Sequence, residues 1–89
     1  MGKKNIIFKS EEPKTRGEVA TFLRELANRI ETGTVIFKRG EEEVSLALPE
    51  NVILEIKAEI KAKSGKVKHA LEVEIEWREG EGEKGVALA

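Results

Sequence analysis

The sequence predicts an α+β fold in which one amphipathic helix packs on one face of a four- to five-stranded, mainly antiparallel sheet, in the order β-α-β-β-β-β. Two observations support this prediction. Apolar residues recur at helical spacing between residues 15 and 33. Four segments between residues 34 and 77 alternate apolar and polar side chains and are separated by short turns, which is typical of half-buried strands joined as hairpins.

The first predicted strand covers residues 5–9, and Pro13 separates it from the helix because proline has no N–H to donate. This strand should run antiparallel to the last one and pair with it, or lie parallel beside residues 34–39. Thr15 and Glu18 match the capping box that begins a helix. Gly33 suits the left-handed position that ends it. The apolar stripe of the helix comprises Val19, Phe22, Leu23, Leu26, Ala27 and Ile30.

Two further strands, at residues 34–39 and 42–48, flank a tight turn at residues 40–41. A two-residue loop there sets Phe37 opposite Val44. The turn at residues 49–51 then sets Leu48 opposite Val52. The sequence therefore predicts that the two strands after this turn, at residues 52–62 and 67–77, extend the same sheet.

The clearest alternation lies in a long hairpin around Ser64 and Gly65. Its register places the alternating apolar side chains of both strands on one face, which a slip of one residue would destroy. The expected pairs are Ile60–His69, Ala58–Leu71, Ile56–Val73, Leu54–Ile75 and Val52–Trp77. On the other face, Lys57 should pair with Glu72. Five residues should be almost fully buried between helix and sheet: Phe22, Leu26, Ile56, Leu71 and Val73.

The composition indicates one small, highly charged domain. Of 89 residues, 39% are hydrophobic and 37% charged, with 16 basic side chains against 17 acidic ones. This balance gives no sign of a nucleic-acid or membrane partner. No segment has the length and apolarity of a membrane span, and the first residues lack a signal peptide's apolar core. We expect a single cytoplasmic domain over residues 1–79 and a flexible Gly/Glu-rich tail over residues 80–89.

Four residue types are missing from the chain: Cys, Asp, Gln and Tyr. The lack of Cys excludes disulfides, thiolate chemistry and Cys-based metal sites. All 17 acidic residues are Glu, and Lys outnumbers Arg, a composition common in hyperthermophile proteins. A thermophilic source is therefore expected, although a small charged domain can lack four residue types by chance.

Four segments together resemble the Amphi-Trp domain family: residues 8–12, 22–27, 49–52 and 72–77. The resemblance runs from about Ile6 to Trp77, and its most recognisable part is the closing Glu-Ile-Glu-Trp. It implies a small stand-alone prokaryotic protein with no assigned activity. It gives weight to Trp77 and supplies no catalytic residue and no cofactor.

Three groups of residues are candidates for a site. Trp77 could be a ligand platform or an interface anchor, or it could close the open end of the core. His69 is the only histidine and has no second His or Cys to complete a metal site. Glu72, Glu74 and Glu76 share a sheet face and could bind a hard cation, although lysines on the neighbouring strand should neutralise them.

An outward-facing apolar patch is the remaining candidate, and it consists of Ile7, Ile36, Ala47 and Ile53. Such a patch can mark an interface between two copies, although aliphatic side chains also occur singly on exposed strands. The sequence favours a non-enzymatic binding or protein-interaction module that uses no cofactor. The alternative is a small metal-dependent or hydrolytic enzyme that uses the sheet-face glutamates and His69.

Overall fold

A computed structural model describes residues 4–79. They form α1 (Arg16–Thr32), β1 (Thr34–Arg39), β2 (Glu42–Ala47), β3 (Ile53–Lys63) and β4 (Lys66–Glu76). The expected α+β class with antiparallel strands is confirmed, but the four strands make two sheets of two strands each. The chain divides into two compact units, Met1–Leu48 and Pro49–Ala89. The tail expected over residues 80–89 lies outside the described residues.

Both predicted ends of α1 are confirmed. The Thr15 backbone N–H donates to Glu18 Oε1 at 2.9 Å, and the Glu18 N–H donates to Thr15 Oγ1 at 3.1 Å. The bond from the Thr15 backbone holds the pKa of Glu18 below its usual value. Gly33 ends the helix with φ of 90° and donates its N–H to the Ile30 carbonyl. Because L side chains rarely adopt this φ, glycine is the residue that suits the position.

The first hairpin, β1–β2, has the predicted register, with Phe37 opposite Val44 and Val35 opposite Leu46. The helix lies against β1. Val35 is 5% exposed and is the one hydrophobic residue within residues 4–79 that is buried. The first unit is therefore centred on β1.

The predicted first strand is wrong, since residues 4–15 contain neither helix nor strand. Contacts made by side chains, and not the backbone hydrogen bonds of a strand ladder, hold this segment against the first hairpin. The Phe8 ring stacks on Phe37 with 5.3 Å between centroids, and the Arg39 guanidinium lies 5.1 Å from the centre of the Phe8 ring. The same guanidinium donates to the Lys9 carbonyl at 3.0 Å. An aromatic stack and one arginine therefore fix the segment without strand pairing.

The second hairpin, β3–β4, has the register that the sequence predicted, from Ile53 opposite Glu76 to Lys63 opposite Lys66. The ladder stops one pair short of Val52 and Trp77. Both turn residues have positive φ, 52° at Ser64 and 75° at Gly65. Two-residue hairpin loops of type I′ need this backbone at both positions, and it matches the twist of the flanking strands.

The expected single sheet is replaced by two hairpins because β2 ends before the turn at Pro49. The Leu48 N–H donates to the Gly33 carbonyl at 2.8 Å, which prolongs the contact with the start of β1. Pro49 has no N–H to offer. The expected pairing of Leu48 with Val52 is therefore absent from the strand ladders of residues 4–79.

The predicted burial of five core residues is also wrong. Phe22, Ile56, Leu71 and Val73 are exposed, and Leu26 is only half-buried. The physical reason is that alternation fixes which face a side chain takes but does not supply the element that covers that face. Taken by itself, the second unit has two strands and no helix in its described part.

No helix within residues 4–79 is long and apolar enough to cross a bilayer.

Candidate interaction surface

One face of the second hairpin is apolar along its whole length, and we call it the apolar face. It carries the even-numbered residues of β3 and the odd-numbered residues of β4, because successive side chains of a strand point to opposite sides. Six large aliphatic side chains on it are each 55–74% exposed: Leu54, Ile56, Ile60, Val67, Leu71 and Val73. Contiguous exposed apolar surface, unlike scattered single residues, is a candidate for an interaction surface.

The opposite face of the same hairpin is charged. Lys57 Nζ lies 3.5 Å from Glu72 Oε2 across the ladder, which confirms the predicted cross-strand pair. Lys61 Nζ lies 3.8 Å from Glu59 Oε1 on the same strand. These side chains are partly exposed, so the pairs contribute little to stability and mainly keep this face solvated. The hairpin is thus sharply two-sided.

Trp77 lies at the open end of the second hairpin and is half-buried. It lines an open cleft of about 770 Å³ together with residues 49–53, Glu76 and Arg78. Val52 and Trp77 occupy the next positions of the alternation that builds the apolar face. The cleft therefore combines an indole with two aliphatic and three charged side chains.

The residues of the expected outward patch fall into both units. Ile7, Ile36 and Ala47 belong to the first and Ile53 to the second, and all four are exposed. Ala47 pairs with Thr34 and Ile53 with Glu76, so the ladder that was expected to join Ala47 to Ile53 is not formed. The patch remains a prediction, and it is smaller than the apolar face.

Two smaller clefts lie in the first unit. One, of about 340 Å³, lies between the N-terminal segment and the start of α1, where Val19 and Phe22 meet Ser10, Glu12, Lys14 and Glu18. The other, of about 390 Å³, is lined by Ile36 and four polar or charged residues.

The residues proposed for an enzyme do not come together. His69 stands opposite Ile60 on the apolar face and is exposed, whereas Glu72, Glu74 and Glu76 project from the charged face. Glu72 already faces Lys57. Among the described residues there is no group of three or more His, Cys, Asp or Glu side chains placed to hold a metal ion.

The alternation in the sequence predicted the residues of the apolar face and their register, but it predicted them as part of a core. Arg39 was not predicted to have a structural role, yet it joins the N-terminal segment to β1 and β2 by donating to the Lys9 carbonyl and to Glu42 Oε1. No periodic signal marks an arginine for that role. Phe8 and Phe37, which both have inward alternation, were the available hint.

These features define a class of protein: a small α+β protein with a helix, two antiparallel hairpins, and one hairpin that exposes an apolar face. The family model for the Amphi-Trp domain matches residues 1–88. The chain therefore belongs to the Amphi-Trp domain family, as its sequence resemblance indicated. No curated protein and no solved structure matches the chain.

Proposed function

We propose that this protein is a non-enzymatic interaction module that binds a protein partner through the apolar face of the second hairpin. This proposal is supported by the exposure of six aliphatic side chains on one continuous surface. A two-stranded hairpin is marginally stable in water by itself and needs a cover on its apolar side. Covering each of these side chains would contribute about 1–2 kcal/mol. Binding and folding of this hairpin are therefore linked.

In this proposal Trp77 anchors the protein partner at one end of the apolar face. Tryptophan is enriched among the residues that dominate binding energy, since its large ring fills pockets at the centre of interfaces. Its half-buried position in the cleft holds the ring at the end of the apolar face, where a partner that runs along the strands would meet it. The charged face would stay in water.

We also propose that the module works on a protein partner in the cytoplasm of a thermophilic prokaryote. The balanced charge supports a protein partner over nucleic acid or a membrane surface. The family resemblance supports a prokaryotic source, the lack of cysteine suits the cytoplasm, and the Glu- and Lys-rich composition favours a thermophilic organism.

Photo-crosslinking in the source cell tests the proposed surface. Benzoylphenylalanine placed at Leu71 would lie on the apolar face, and the same residue placed at the neighbouring Ala70 would lie on the charged face. We expect discrete protein adducts from position 71 and few or none from position 70. Adducts of equal yield from both positions, or none from position 71, would show that the apolar face is not a binding surface.

A further inference from the structure

We infer that the partner on the apolar face is a second copy of this chain. The two hairpins pack face to face about a two-fold axis and point in opposite directions, so that the turn of each hairpin lies over the open end of the other. We call this arrangement antiparallel stacking. This inference rests on the proposed function and identifies the protein partner as a second copy of the chain. Both surfaces of such an interface are the same patch, which closes the assembly at two copies.

The apolar face has about the area that a stable dimer needs. Its six exposed aliphatic side chains present on the order of 600 Å² per copy, compared with about 800 Å² per partner in an interface of standard size. The alanines, His69 and Trp77 of the same hairpin add to this area. Two sheets pack about 10 Å apart with interdigitated side chains, so two hairpins would form a four-stranded sandwich.

The sizes of the side chains decide the orientation. The pairs at the two ends of the ladder differ in size: Leu54 and Ile75 lie near the open end, and the smaller Ala62 and Val67 lie next to the turn. Trp77 enlarges the open end further. If the two hairpins pointed in the same direction, the ends with large side chains would meet and the ends with small side chains would leave a void between them. In antiparallel stacking, the end with large side chains packs on the end with small ones, which gives the even packing density of a protein interior.

Charge is compatible with this stacking. The lysines and glutamates of the hairpin project from the other face, where Lys57 and Glu72 already pair. His69 is the one side chain of the apolar face that can carry a charge, and the antiparallel stacking sets it near the Leu54 row of the other copy. No pair of like charges would therefore be brought together inside the interface.

Analytical ultracentrifugation of three proteins tests the dimer. Leu71→Lys places a charge in the interface, and Ala70→Lys places the same charge on the opposite face, beside Glu59. We expect dimers for the wild type and for Ala70→Lys. The dissociation constant of Leu71→Lys should rise at least about 100-fold, because an unpaired ammonium would be buried. A wild type that stays monomeric at millimolar concentration would overturn the inference, and so would equal dissociation constants for the two variants.

A distance measurement tests the orientation without disturbing the apolar face. The chain has no cysteine, so Ser64→Cys gives one spin label per copy, at the turn. Antiparallel stacking puts the two labels about 40 Å apart, and parallel stacking puts them within about 20 Å. A short distance would overturn the antiparallel arrangement. A monomer that still forms adducts with another protein from position 71 would overturn the second copy as partner and leave the interaction module standing.

Discussion

The two units of this chain use the same strand pattern with different results. In the first unit β1 has α1 against it, Val35 is buried, and Phe37, Val44 and Leu46 are half-buried. In the second unit the alternation is longer and more regular, yet six large aliphatic side chains on its apolar face stay more than half exposed. The comparison teaches that burial follows from what covers a face and not from how regular the face is. The following predictions test that contrast, from the largest expected effect to the smallest.

The first prediction concerns the buried centre of the first unit. Val35→Asp should lower the free energy of unfolding by about 3 kcal/mol or more, because it places an unpaired carboxylate at a position with 5% exposure. Ile36→Asp changes the adjacent, exposed residue of the same strand and should cost about 1 kcal/mol or less. Urea unfolding of both variants measures the difference. Similar losses would mean that β1 has no buried side.

The second prediction concerns Leu71, which is 74% exposed within the chain. In dilute protein, Leu71→Ala should lower the free energy of unfolding by less than about 0.5 kcal/mol, because little packing is lost. At concentrations where the dimer is populated, the loss should be about 2 kcal/mol. Unfolding followed at low and high protein concentration gives both values. A cost of 2–5 kcal/mol that does not change with concentration would instead indicate the intramolecular core that the alternation first suggested.

The third prediction concerns the N-terminal segment. Arg39→Ala removes the cation–π contact with Phe8 and the bond to the Lys9 carbonyl. It should cost about 1 kcal/mol. Lys38→Ala is the matched control, because Lys38 also pairs with a glutamate of β2, at 3.5 Å, but makes no such contact. In NMR spectra the ring-current shifts of Phe8 should diminish in Arg39→Ala and persist in Lys38→Ala.

The fourth prediction concerns pH and the start of α1. The bond from the Thr15 backbone lowers the pKa of Glu18 in the folded protein. Its contribution is therefore present above the pKa of the unfolded chain and is lost as the pH falls through the lower, folded value. Circular dichroism should show a loss of helix in acid for the wild type. In Glu18→Gln, which cannot titrate, the helix signal should depend less on acid, and an unchanged acid dependence would contradict the assignment.

Most of the local structure could be predicted from the sequence. Thr15, Glu18 and Gly33 gave both ends of the helix, and Ser64 with Gly65 gave the register of the long hairpin. Each of these features depends on hydrogen bonds and backbone preferences between residues close in sequence. The candidate site was only half predictable, because the residues of the apolar face were identified while their exposure was not.

The sequence by itself thus determined the helix, its caps, the two hairpins and the face that each side chain takes. Only the tertiary structure decided that residues 5–9 are held by Phe37 and Arg39 instead of a ladder, and that the apolar face of the second hairpin lies open. The physical reason is range. Periodicity and capping act over a few residues, whereas burial requires a surface from elsewhere, which no local pattern specifies.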